Sequence, residues 1–127
     1  MSHVTRVKTR LKDAQVLRQS LEKIGYLVRE GGVISGQSSS RTGHAVEILA
    51  RKGGSRIGFR RLHDGVSFEV LADWELQRKG RQTIINEILQ AYSREKVIKI
   101  AGNKGYSVIG NRINRHGQVE MVLRKAV

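Results

Sequence analysis

The chain has 127 residues, of which 24 are Lys or Arg and 11 are Asp or Glu, giving a formal charge of +13 at pH 7. A hydrophobic share of 39% with 14 glycines is enough for one packed domain over 1–127, so the charge belongs to a folded unit and not to a disordered basic tail, and it favours a polyanionic partner. The absence of cysteine excludes disulfides and thiolate metal sites, and no apolar run reaches the roughly 18 residues of a membrane span.

There is no proline, so turns must rest on Gly, Asn, Asp and Ser. Val4–Leu11 alternates and predicts a strand with Thr5, Val7, Thr9 and Leu11 on one face and Arg6, Lys8, Arg10 and Lys12 on the other. Asp13 caps a helix in which Ala14, Leu17, Leu21 and Ile24 recur at three and four residues, and Gly25 ends it. Tyr26–Ile34 is a second strand. The segment 35–43, reading SGQSSSRTG, has no periodicity and is expected to be a mobile Ser/Gly-rich loop.

His44–Lys52 and Arg56–Leu62 form a hairpin around Gly53-Gly54-Ser55, and Asp64-Gly65 turns the chain into a fifth strand, Val66–Ala72. A connector, Trp74–Arg81, leads to Ile84–Tyr92, whose Ile84, Ile85, Ile88, Leu89 and Tyr92 have helical spacing, and helix continues over Arg94–Lys104. Two strands, Tyr106–Ile113 and Gln118–Lys125, close the chain around a turn at Asn114–Gly117. The fold class is α+β with a mainly antiparallel sheet and two or three helices.

Two short stretches recur. Gly25-Tyr26-Leu27-Val28 returns as Gly105-Tyr106-Ser107-Val108, and Val46-Glu47-Ile48-Leu49-Ala50-Arg51-Lys52 is echoed by Val119-Glu120-Met121-Val122-Leu123-Arg124-Lys125. Two helix-strand-strand units related by a pseudo-twofold axis would explain this, as would a chance likeness in a chain rich in glycine and basic residues. Under the repeat, Ser93 takes the place of Asp13 as a helix cap, which would allow Ile84–Ala91 to be a strand. Both alternatives stand at this point.

The series Met1-Ser2-His3-Val4-Thr5, Val7-Lys8-Thr9, Gly25-Tyr26, Ile57-Gly58-Phe59-Arg60, Val70-Leu71-Ala72-Asp73-Trp74, Ile85-Asn86, Lys96-Val97 and Gly105-Tyr106-Ser107-Val108 resembles the uncharacterised family of the hypothetical chloroplast reading frame thirty-five. That family is met in cyanobacteria, red-algal plastids, other bacteria and phages. The resemblance covers nearly the whole chain and implies a fold and a distribution, but no reaction and no catalytic residues. It also implies an acidic or neutral surface, above all in the last hairpin, where this chain reads Gly110-Asn111-Arg112-Ile113-Asn114-Arg115-His116-Gly117. An inverted charge on a shared fold points to a partner of this chain's own. With no apolar leader, the expected location is the cytoplasm, or the plastid stroma if the chain is organelle-encoded.

Cations at alternate strand positions lie roughly 6.5 to 7 Å apart, close to the phosphate spacing of a nucleic-acid strand. Arg6, Lys8, Arg10 and Lys12 therefore read as a row able to follow a backbone, with a guarded strand edge as the plainer account. A second, turn-borne set comprises Arg51, Lys52, Arg56, Arg60, Arg61, Arg78, Lys79 and Arg81, and a third comprises Arg112 and Arg115 beside His116. Glycine lets a backbone approach phosphate and arginine grips it bidentately, while a solvated charged loop is the simpler reading of any one member. The aromatic residues are scattered on apolar faces, which argues against base stacking.

No enzyme site emerges. Glu47 and Glu120 sit among strand hydrophobics and bases, the four histidines lack metal-ligand spacing, the serines at 38–40 lack a GxSxG frame, and Gly-Gly-Ser-Arg is no P-loop. The reading is a non-enzymatic module without cofactor or metal, contacting the phosphate backbone of RNA or DNA without strong sequence preference. Its alternative is a small adaptor that binds an acidic protein surface, for instance by strand addition at an open edge.

Overall fold

A computed structural model of the protein describes residues 4–35 and 43–125. The loop expected at 35–43 therefore lies almost wholly outside the described residues. In chain order the elements are β1 (Val4–Lys8), α1 (Ala14–Lys23), β2 (Leu27–Ile34), β3 (His44–Lys52), β4 (Ser55–Arg61), β5 (Phe68–Asp73), a 3-10 turn (Trp74–Leu76), α2 (Arg81–Asn103), β6 (Tyr106–Ile113) and β7 (Val119–Lys125). The first five strands form one antiparallel sheet in the order β1-β5-β4-β3-β2, and among the described residues β6 and β7 pair only with each other. The class is α+β with mostly antiparallel strands, as the periodicities predict.

β1 is shorter than its alternation. It pairs with β5 from Val4↔Asp73 to Lys8↔Glu69 and then runs out of partner, because β5 begins at Phe68. Thr9 instead wraps the strand end, its hydroxyl donating to the Phe68 carbonyl at 2.6 Å, and Leu11 accepts the Phe68 amide at 2.8 Å while burying its side chain. The predicted four-cation strand face is thus corrected: Arg6 and Lys8 lie on the strand, whereas Arg10 and Lys12 lie on the β1–α1 connection. The fifth strand likewise starts two residues late, since the Asp64 carboxylate accepts the amides of Val66 and Ser67 and holds them in the turn.

α1 forms where its cap and its apolar spacing coincide. Asp13 accepts the Val16 amide at 3.1 Å, and Val16, Leu17 and Leu21 are fully buried. Gly25 takes φ of 101°, a left-handed turn that only glycine enters without strain, and Lys52 caps the helix end by donating to the Ile24 carbonyl at 2.7 Å.

α2 is one unbroken helix of 23 residues, so Ser93 is interior and the strand alternative for Ile84–Ala91 is excluded. Its first half presents Ile84, Ile85 and Ile88 to the sheet. Its length is about 34 Å at 1.5 Å per residue, which carries its second half onward to support the β6–β7 hairpin. Both repeat units are therefore a helix followed by a hairpin, with positive φ at Gly25 and at Gly105. They differ in environment, for β3 has β4 beyond it and β7 has no further strand among the described residues.

The helices cover one face of the five-stranded sheet. There Phe59, Val70, Phe68, Ile57, Ala50 and Ile48 meet Leu17, Leu21, Ile84, Ile85 and Ile88. Three ion pairs tie α1 and its cap to α2: Lys23 pairs with buried Glu95 at 2.6 Å, and Lys99 and Lys96 donate to Asp13 at 2.8 and 3.3 Å, while the Asp13 amide donates to the Tyr92 hydroxyl at 3.0 Å. The Lys99 hydrogen bond, with the Val16 amide and Lys96, holds the Asp13 carboxyl well below the usual carboxylate range against the opposing effect of burial.

Candidate nucleic-acid interface

Phe59 pairs with Val70 and Val70 with Val7, all three toward the helices, so their immediate neighbours point to the opposite face. One row across that face takes a residue from each strand: Arg29, Leu49, Gly58, Leu71 and Arg6. In the row on one side, Leu27 pairs with Arg51 and Arg51 with Arg56, and on the other Arg60 pairs with Glu69 and Glu69 with Lys8. The face left free by the helices thus carries Arg6, Lys8, Arg29, Arg51, Arg56 and Arg60, spread over four strand-to-strand steps, roughly 19 Å.

Beneath these cations Ile34, Val46, Leu49 and Leu71 form a second, smaller buried cluster with Val4 against it. Val46 joins it by a local change of phase in β3, and its side chain closes over Gly58, where an added Cβ would lie 2.5 Å from Val46 Cγ1. Two acids lie on the same face, both buried. Glu69 accepts both Nε and Nη2 of Arg60, at 2.9 and 2.6 Å. Asp73 has both carboxylate oxygens enclosed, with no hydrogen-bond partner for either among the described residues.

The predicted site residues divide accordingly. Arg6, Lys8, Arg51, Arg56 and Arg60 converge on the free face, although Arg60 is engaged by Glu69. Arg61 points to the helix side, lies 4.0 Å from the Phe68 ring centroid and donates to the Lys12 carbonyl at 2.8 Å, so it braces the β4–β5 turn. Arg6, Lys8, Arg60 and Arg61 line a depression of about 570 Å³ with His63. Lys52, Arg78 and Lys79 line a separate cavity of about 390 Å³ beside the Gly53-Gly54 turn, where Lys79 pairs with Glu87 at 2.7 Å and Arg81 opens α2 nearby. Arg112 and Arg115 sit on the hairpin beyond α2, with Arg112 paired to Glu120 at 2.7 Å. Among the described residues Arg6, Lys8, Arg29, Arg51 and Arg56 form no ion pair, and Arg56 lines a small cavity together with the enclosed Asp73. Arg29 was missed by sequence reasoning, which grouped cations by runs; the phase of β2, with Val28 packed on the core, is the signal that would have found it.

Both acids singled out from the repeat are hydrogen-bonded to arginines. Glu47 accepts the Arg61 amide at 2.9 Å and Glu120 holds Arg112. Among the described residues no cluster of His, Asp or Glu suits a metal ion, and no helix is long and apolar enough to cross a membrane.

A five-stranded antiparallel sheet with helices on one side and cations on the other defines a basic α+β domain. The chain belongs to the family described as protein of unknown function (DUF1257), whose profile matches residues 20–122. That match starts within α1 and so leaves out Arg6 and Lys8. Over nearly its full length the chain is similar to the uncharacterized protein ycf35 of Guillardia theta, at 24% identity over 129 residues and 98% of each chain. It is also similar to the proteins of that name from Cyanophora paradoxa, at 23% over 133 residues, and Pyropia yezoensis, at 21% over 130 residues, again with 98% of each chain covered. No solved structure matches the chain.

Proposed function

We propose that the domain is a non-enzymatic binding module that engages the phosphate backbone of RNA or DNA through the free face of its five-stranded sheet. The observation that carries this reading is the strand register, which gathers cations from β1, β2, β3 and β4 on the one face the helices leave open. Charges fixed on a sheet at strand spacing need little reordering to meet a polyanion, and each phosphate contact releases condensed counterions. Such contacts position a ligand without reading its sequence.

Fluorescence anisotropy with a single-stranded RNA and a duplex DNA, repeated across salt concentrations, tests it. The logarithm of affinity should fall linearly with the logarithm of salt. Replacing Arg29, Arg51 and Arg56 together by Gln should flatten that line by roughly 2 to 3 units, whereas the same change at Arg112 and Arg115 should leave it unaltered. A slope near zero, or no binding at about 100 mM salt, overturns the proposal. Capture of an acidic protein that survives nuclease treatment would instead support an adaptor role for the same face.

A further inference from the structure

Four strand edges are open among the described residues, and three of them are guarded. β1 carries Arg6 and Lys8, β2 is broken by Gly31 and Gly32 at positive φ, and β6 has an extra residue between Val108 and Gly110 that bends it. The outer edge of β7 has no bulge and no glycine, and its charges, Glu120, Arg124 and Lys125, are of both signs and flank an apolar centre, Met121-Val122-Leu123, with Val122 58% exposed. Its counterpart in the first half of the chain, β3, is paired along the corresponding edge by β4.

We infer that β7 is a dimerisation edge, along which two copies of this chain join antiparallel about a twofold axis at Val122 to make a four-stranded sheet, β6-β7-β7-β6. The sequence of β7 is self-complementary in that register. Val122 faces its own copy, Met121 faces the partner's Leu123, and Glu120 faces the partner's Arg124. A perpendicular twofold keeps each side chain on its own sheet face, so the axis must pass through a residue, and shifting it to Met121 or Leu123 removes the Glu120–Arg124 match. Glu120 already holds Arg112 across the hairpin, so each half of the dimer sheet would gain a row of Arg112, Glu120 and the partner's Arg124. An isologous contact of this kind closes at two copies.

Sedimentation of the full chain tests this, run at roughly 0.3 M salt so that repulsion between two strongly positive copies is screened. The unaltered protein should be a dimer, and Val122→Lys, at an exposed position, should be monomeric with an unchanged circular dichroism spectrum. Arg124→Glu and Glu120→Arg should each weaken self-association roughly tenfold or more by placing like charges opposite one another. Mixed in equal amounts, those two variants should dimerise with each other, because the mixture restores an acid opposite a base at both positions. A wild-type monomer at about 100 μM, a dimer that survives Val122→Lys, or a mixture no more associated than its parts each overturns the inference.

Discussion

Asp13 performs two tasks at once, and two substitutions separate them. Its Oδ1 caps α1 through the Val16 amide, while Oδ2 receives Lys99 and Lys96 from α2. Asn keeps the capping acceptor and removes the charge, whereas Ala removes both. An N-cap contributes about 1 kcal/mol. The two ammonium groups are about two-fifths exposed, so each pair is discounted for screening to roughly 0.3–0.5 kcal/mol. The expected losses at neutral pH are therefore roughly 0.5–1 kcal/mol for Asp13→Asn and about 2 kcal/mol for Asp13→Ala.

Acid should erase the charge-dependent part. The folded carboxyl titrates below its unfolded value, so its stabilisation is complete above the ordinary carboxylate range and disappears as pH falls through the folded value. Urea unfolding of wild type and Asp13→Asn at a series of pH values reads this directly. The gap between them should be constant above about pH 5 and close in strong acid. Equal stability at neutral pH, or a gap that widens on acidification, refutes the account.

Further outcomes follow from the packing of the free sheet face. Asp73→Asn should change stability by no more than about 1 kcal/mol, because neither carboxylate oxygen has a hydrogen-bond partner among the described residues; a marked loss by thermal unfolding would show that the carboxylate has a partner. Glu69→Gln should cost about 1 kcal/mol in urea titration, since it keeps one oxygen for Arg60 to donate to but removes the charge that strengthens both hydrogen bonds, and unchanged stability would contradict that pairing. Gly58→Ala should cost roughly 1–3 kcal/mol, because the new methyl would meet Val46 Cγ1 at 2.5 Å and Ile34 Cγ1 at 2.8 Å, and an unchanged denaturation midpoint would contradict that packing.

Local chemistry was legible in the sequence wherever one residue decides a conformation. Asp13 caps, Gly25 ends a helix, and the turns at Gly53 and Gly65 take the positive φ that their residue type foretells. What could not be read locally depends on a partner element. β1 stops at Lys8 because β5 stops, and no alternation within Val4–Leu11 records that limit. Ser93 resembles a cap in sequence yet sits inside α2, between the buried Ala91 and Glu95, which nothing in its local sequence records. The candidate face was half visible for the same reason: Arg51 and Arg56 share one hairpin, but Arg6 and Arg29 are far from it in the chain and join it only through strand register.

The length of α2 has a consequence for local opening. Its first half is locked into the main core by Ile84, Ile85 and Ile88, while its second half carries a hairpin whose Ile109, Ile113 and Val122 stay exposed. The two ends of one helix therefore belong to units of unequal stability. Amide hydrogens of β3, β4 and β5 should exchange with solvent only through global unfolding, whereas those of β6 and β7 escape through a smaller opening in which the C-terminal turns of α2 fray and the sheet stays intact.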